Sequence, residues 1–529
     1  MLGSCQCSDR NSAAEAGIGT GTEGNGHSGQ GSISNETEFS QIGSIADRFS
    51  GSSKGSVVPT QSSTYTSKPR PFSSSKPETV SEYSPTELDI LPLGCLNIED
   101  KEVSQGGVYS IDTSADSTIL ASRHGKSHIG VWDLRTNTLS TTIKVTFYIQ
   151  IQPRSRDYFV RSHAVLSETL NLIAISTAFG QSVEIWNWSN RKKIQTISNA
   201  MRWAAVRSDV YESCCCPLAT YSTDDNAIKL YPVIPKKKPF GKPRIIDLRK
   251  AGLPHLPQMP ELAFSPTGPL LLAAAGPRPP RPGNPPPVHA ALLMAWQLDG
   301  DKTRHTPYKF LQTTDHPELE NSLPLHLETY GSVAVSIWEA AKFKTIGRPG
   351  MWQVEPITIT ERVVLVWDFS GLVDKTTTFF IPAVLACISP NCRFLAYCDP
   401  GGRNGGDAHG VLAVLDITEG GRELWRLDAA VPGADGTTTT VDVGWKSSRW
   451  SRKSSDTRRS GQSGQRSDKS SEVVGVEGLE LLAQDLKKVT ELAFSGDGSK
   501  LLVGDERGEI SNYEFRLEGL HGTHSVGSG

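Results

Sequence analysis

Glu491–Phe515 reads ELAFSGDGSKLLVGDERGEISNYEF. Glu491–Ser495 alternates apolar with small or polar residues. Gly496, Asp497 and Gly498 then make a tight turn. Lys500–Gly504 is a second apolar run, Asp505–Gly508 a second turn, and Glu509–Phe515 a third run. Short apolar runs cut by Gly/Asp clusters predict an antiparallel meander. Three strands cannot bury their own faces, so such a unit requires stacked copies.

Copies recur along the chain. Val108–His124 (VYSIDTSADSTILASRH) is followed by Ile129–Leu134 (IGVWDL). Glu261–Ala275 (ELAFSPTGPLLLAAA) is followed, after an insertion, by Ala295–Leu298. Leu385–Cys398 (LACISPNCRFLAYC) precedes Val411–Ile417 (VLAVLDI). Weaker copies lie at Leu170–Trp186, Pro217–Tyr231 and Ser332–Trp367. The count is about seven.

Trp-Asp pairs close third strands at Trp132-Asp133 and Trp367-Asp368. Trp186, Trp296, Tyr231 and Tyr513 stand at the equivalent places. On these residues the chain resembles the WD-repeat β-propellers. The resemblance implies an all-β, seven-bladed propeller over residues 86–517, between a Ser/Thr/Gly-rich tail (1–85) expected to be disordered and a short C-terminal tail (518–529). Insertions are read near 235–244, 276–289, 340–356, 399–409 and 444–475. No unit carries the Gly-His pair that opens a typical repeat, and the first unit lacks the turn Asp. The His-Asp-Ser/Thr-Trp tetrad is therefore mostly incomplete, and the blades are expected to hold by apolar packing. In this family an early strand often completes the last blade. Leu88–Ile98 (LDILPLGCLNI) is accordingly expected to pair beside Glu509–Phe515, removing two free edges.

Composition bounds the function. Net charge is −3, with 21% charged and 37% hydrophobic residues. Such a balance gives no global field for nucleic acid or an anionic membrane. No run of eighteen apolar residues occurs, and Met1–Gln30 has neither a basic start nor an apolar core. The expectation is a cytoplasmic or nuclear protein with reduced cysteines. Gly19, Gly21 and Gly24 match a dinucleotide fingerprint by letter only, with no strand before them. Cys5 and Cys7 read as free thiols in a tail, and Cys214–Cys216 as small buried thiols. Three consecutive residues on a strand cannot converge on zinc.

Several stretches are candidate partner sites. Lys236, Lys237 and Lys238, flanked by prolines, form a cationic loop. It reads as a solvated loop, with nuclear import or phosphate contact as the alternative. Pro277 and Pro280 with Arg278 and Arg281 form a stiff polyproline insertion that could also dock an aromatic groove. Residues 444–471 hold eight Lys/Arg against two Asp. Phosphorylation at Ser454, Ser455 or Ser460 would reverse that local charge. Leu479–Lys488 suggests a short helix. Trp132-Asp133-Leu134-Arg135 is similar to the Trp-Asp-x-Arg end of the box in propellers that serve cullin-type ubiquitin ligases as substrate receptors. There Arg135 would reach an adaptor; otherwise it is a solvated turn residue.

Motif searches for catalysis find no Gly-x-Ser-x-Gly elbow, His-Glu-x-x-His, Walker loop or Cys-x-x-Cys. The Phe/Leu-Arg-Arg-Gly grip of phosphoinositide-binding propellers has no match on an ordered strand: Leu248-Arg249-Lys250-Ala251 lacks the second Arg and the Gly. The expected function is a non-enzymatic protein-interaction scaffold, with no cofactor, no metal and no small-molecule substrate. A ubiquitin-ligase receptor is the alternative, and a hydrolase with channel-lining carboxylates or His is the reading from the enzyme class.

Overall fold

The turns place the strands. In the quoted stretch, Asp497 Oδ1 accepts the Ser495 hydroxyl and the Ser499 amide. Gly498 sits at φ +74°, which an L side chain rarely adopts. Asn137, Asn171, Asn226 and Asn321 take the left-handed conformation elsewhere, where a short polar side chain tolerates it. The apolar runs between such turns fold back on one another. The computed structural model describes residues 88–98, 106–145 except 126, 161–206 except 178–179, 218–232, 240–277 except 259, 283–285, 290–298, 304–401 except 342, 410–429, 482 and 485–517.

The first strand, β1 (Leu88–Leu96), stands apart in sequence from its blade. Blade 1 is β2–β5 (Val108–Thr113, Ile119–His124, His128–Asp133, Thr138–Lys144). Blade 2 is β6–β9 (His163–Ser167, Leu172–Thr177, Ser182–Asn187, Lys192–Ser198). Blade 3 is β10–β13 (Arg202–Ala205, Leu218–Ser222, Ala227–Tyr231, Arg244–Asp247). Blade 4 is β14–β17 (Glu261–Phe264, Leu270–Ala275, Leu292–Gln297, Lys309–Gln312). Blade 5 is β18 (Ser322–Tyr330), β19 (Val333–Ala340), β22 (Glu361–Asp368) and β23 (Lys375–Pro382), with the hairpin β20–β21 (Phe343–Ile346, Gln353–Pro356) inserted. Blade 6 is β24–β27 (Leu385–Ile388, Phe394–Asp399, Val411–Asp416, Arg422–Asp428). Blade 7 is β28–β30 (Val489–Phe494, Lys500–Asp505, Ile510–Leu517) with β1 as its outer strand.

The expected clasp is present. β1 runs antiparallel to β30 from Leu88↔Leu517 to Leu96↔Ile510, with one register shift between Pro92 and Gly94. Leu88, Ile90 and Leu96 are buried by this pairing. Each buried side chain of that size contributes about 1.5–3 kcal/mol, and the same strand satisfies the backbone edge of β30.

Seven apolar clusters fill the seven junctions between neighbouring blades. Ile129, Val131, Ile173 and Ile175 fill the first junction, between blades 1 and 2. Trp203 and Tyr231 pack against Ile185 in the second. Trp296 and Tyr221 occupy the third, and Trp338 and Trp367 the fourth. Val335 with Leu395, and Phe394 with Phe494, fill the fifth and sixth. Trp132, Val108, Leu96 and Leu502 close the ring between blades 7 and 1. The described chain is an all-β, seven-bladed propeller.

One expectation needs correction. The fifth unit, which the sequence suggests over Ser332–Trp367, is wider: directly after Lys309–Gln312, the outer strand of blade 4, blade 5 runs from Ser322 to Pro382. Its innermost strand, SLPLHLETY, carries Pro324 at a register shift and mixes polar with apolar residues, which hides its strand rhythm. Trp186 and Trp188 flank the end of β8 at Asn187, beyond a register shift between Ile185 and Trp186, and both pack at the junction of blades 1 and 2. Trp188 fills the junction while Trp186 is half-buried and donates to Glu184 Oε2 at 3.0 Å. The tail, Lys236–Lys238, Cys214–Cys216, Pro280 and the serines at 454, 455 and 460 lie outside the described residues.

Candidate functional site

In a four-stranded meander the first-to-second and third-to-fourth connections open on one face. The second-to-third and blade-to-blade connections open on the other. Three consecutive blades carry their insertions between second and third strands: 276–291 in blade 4, 341–360 in blade 5 and 400–410 in blade 6. The link 429–488 between blades 6 and 7 also leaves and returns there. The described ends of these four connections therefore all open on one face.

The insertion left unplaced by sequence, within 340–356, is the hairpin β20–β21. Phe343 pairs with Pro356, and Lys344 with Glu355 across a 3.1 Å ion pair. Its base is braced by Arg362, whose Nη2 lies 2.7 Å from Glu339 Oε2 and which also donates to the Val384 carbonyl. Near its tip, Gly283 of the proline-rich insertion donates its N–H to Trp352 O at 2.9 Å. Two insertions from adjacent blades therefore touch. Both strands of the hairpin are exposed or half-buried, with Phe343, Ile346, Ile357 and Met351 (68%) open to solvent. A two-stranded hairpin is marginal alone, so these braces hold it out from blade 5.

Between the hairpin and the body lies a groove of about 540 Å3. Tyr109, Leu385 and Val489, at the starts of three innermost strands, contribute to it, as do Phe343, Pro356 and Ile357 of the insertion. Lys487, Lys488 and Glu506 stand on the blade 7 side. Asp485 is held there between Lys488 and Arg507, the latter at 3.2 Å. The wall is about half polar and half apolar, with apolar side chains set among paired charges, a mixture that can receive a polypeptide segment.

The innermost strands bring a second set of polar groups into the central channel. Arg202 Nη1 lies 3.1 Å from Glu261 Oε2, tying blade 3 to blade 4. Asp112 Oδ2 accepts the Val165 amide at 2.9 Å, tying blade 1 to blade 2. His163 Nε2 lies 2.9 Å from Ala121 O; burial holds its ring below the usual imidazole pKa. His326 Nε2 and Glu328 Oε1 are 3.2 Å apart. Burial, reinforced by Glu491, pushes the Cys387 thiol well up, so it stays protonated and is a poor nucleophile. Among the described residues no group of three or more His, Cys, Asp or Glu is arranged to hold a metal.

The residues singled out in the sequence fall into four sets. Trp132, Trp296, Trp367, Tyr231 and Tyr513 are buried between blades. Burial pushes the Tyr513 phenol up to about 12. Asp133 and Asp368 close third-to-fourth turns by accepting the amides of Arg135 and Ser370 at 2.9 and 3.0 Å. Arg135 is on the face opposite the insertions, 69% exposed, with its guanidinium 3.1 Å from Asp133. That hydrogen-bonded partner holds the Asp133 carboxyl below its usual range and the guanidinium above its own. Pro277 is buried at the end of β15, so its ring is not presented to a partner as a docking proline would be. The hairpin and the channel groups were not found from sequence. The β-branched Thr345, Ile346 and Val354 on either side of Gly347 and Gly350 were the available signal for the former.

No family model matches the chain, and no curated protein matches it. Among solved structures, Kuenenia stuttgartiensis hydrazine synthase aligns over 78% of this chain and 98% of its own, at 12% identity and a TM-score of 0.40. No helix among the described residues is long and apolar enough to cross a membrane.

Proposed function

We propose that the chain is a protein-interaction scaffold of the divergent WD-repeat kind, and that its insertion-bearing face receives a segment of a partner protein. The observation that carries this is the braced, solvent-exposed hairpin β20–β21, with Phe343, Ile346 and Met351 open to solvent, standing over a groove of mixed apolar and charged lining at the mouth of the ring. An exposed apolar cluster rimmed by polar residues marks an interaction site. The WD-repeat assignment is supported by Trp132-Asp133 and Trp367-Asp368 at the ends of third strands, and by a Trp132–Ser122–His124 hydrogen-bonded chain. Affinity purification of the full chain tests the reading. Phe343→Asp combined with Ile357→Asp should release stoichiometric partners while far-UV circular dichroism stays unchanged. Undiminished recovery by a folded double variant would exclude the groove.

A second reading, as a substrate receptor of a cullin-type ubiquitin ligase, is favoured by Arg135, exposed at the end of the Trp-Asp-x-Arg stretch with its guanidinium paired to Asp133. Arg135→Ala should abolish co-purification of the ligase adaptor without changing stability by more than about 0.5 kcal/mol. Equal adaptor recovery removes this reading and leaves the first intact. In either case the chain is proposed to act by binding and not by catalysis.

A further inference from the structure

The central channel is divided. Its upper cavity, about 70 Å3, sets Asp112, His163 and Glu491 among apolar side chains such as Ile111, Leu492 and Phe494. Its lower cavity, about 180 Å3, has walls of Ala115, Ala204, Ala205, Ala263 and Phe264. Arg161 and Glu328 line both cavities, so they form the waist between them. Ala115, Pro266, Pro390 and Gly496 belong to first-to-second turns, so the lower cavity faces Arg135's side of the ring and not the insertions.

The waist is built from opposite sides. Arg161 leads into blade 2, and its guanidinium carbon lies 5.9 Å from the Trp203 ring centroid, a cation–π contact that fixes its position. Glu328 belongs to β18 of blade 5, is 7% exposed and lies against His326. The cavity therefore presents a cation and an anion at its floor and small apolar side chains around its wall. Alanines at the ends of β10 and β14 leave the space that larger residues at those positions would fill.

We propose that this lower cavity binds a small zwitterion, an aliphatic amino acid. The carboxylate meets Arg161, the ammonium meets Glu328, and the side chain lies against the alanines and Phe264. A planar guanidinium suits a carboxylate through paired N–H donors, and a carboxylate accepts from an ammonium. A cavity of this volume admits a free amino acid and excludes a folded partner. The site is independent of the groove, so failure of one leaves the other standing.

Calorimetric titration of the full-length chain with L-leucine and L-valine tests it. The expected result is saturable binding of at least one, with a dissociation constant of about 1 mM or tighter. Isohexanoate, which lacks the ammonium, and isoamylamine, which lacks the carboxylate, should each bind about tenfold more weakly than leucine. Arg161→Gln and Glu328→Gln should each lose about tenfold or more. Ala115→Leu, in a half-buried turn outside the waist, should abolish binding by filling the cavity while far-UV circular dichroism stays unchanged; it keeps the test valid if a waist variant misfolds. No saturable heat with either amino acid would overturn the proposal. So would unchanged binding in Ala115→Leu, or isohexanoate binding as tightly as leucine.

Discussion

Blades 1 and 5 carry the same Trp-Asp pair and use it differently. In blade 1, Trp132 Nε1 donates to Ser122 Oγ at 2.8 Å, and Ser122 lies 2.8 Å from His124 Nε2. Ser122 Oγ has one proton and two lone pairs, so it can meet either tautomer of the His124 ring, whose Nδ1 finds no partner among the described residues. In blade 5, Trp367 is fully buried but its Nε1 has no partner among the described residues. There the indole that bonds is Trp338, on the neighbouring strand, which donates to Ser336 Oγ at 2.8 Å; Ser336 in turn reaches Leu365 O at 3.4 Å. The Asp is alike in both, closing a turn through the amide two residues on. A repeated dipeptide thus marks a position in a blade. The bonding at that position is set by what the adjacent strand supplies.

The strongest way to break this comparison is to remove both indoles. Trp132→Ala and Trp367→Ala should each cost about 3–5 kcal/mol in denaturant unfolding, because cavity formation dominates at both. A much smaller loss at either would show that its junction collapses without it.

Acid should then separate the blades. Burial, with His163 and His128 adding to it, holds His124 at a pKa of about 4 against an ordinary 6.5. The native state thus refuses a proton that the unfolded state takes. Stability contributed by the neutral ring is full above 6.5 and is lost as pH falls toward about 4, by roughly 3 kcal/mol at most. His163, also depressed, acts in the same direction. The pair in blade 5 ends on a carbonyl and carries no such dependence. Unfolding free energies measured across that window should fall more steeply for the native chain than for His124→Gln. Parallel curves would place the titration elsewhere.

The smallest difference is the most specific. Trp132→Phe should cost roughly 1 kcal/mol more than Trp367→Phe, since only the former gives up a buried hydrogen bond. Equal costs would mean that the bond in blade 1 contributes nothing net.

Much of the fold was legible in particular residues. The meander of Glu491–Phe515 appears with its turns where Asp497 and Gly508 stand, and Leu88–Leu96 pairs with β30. Blade 5 was misdrawn because Pro324 interrupts its innermost strand and its hairpin doubles the distance between β19 and β22. The tetrad was judged mostly absent because the usual Gly-His opening is missing. In blade 1 a His from the end of β3 takes the place next to Ser122, which spacing alone does not reveal.

Local alternation, turn chemistry and an unpaired strand at each end were enough to specify the blades and their closure, because those features act over a few residues. The groove, the facing of three insertions and the Arg161–Glu328 waist were decided by the tertiary structure. Ring closure brings residues 109, 343 and 487, or 161 and 328, to one place. No short-range period in the chain encodes which innermost strands will look at one another across the channel.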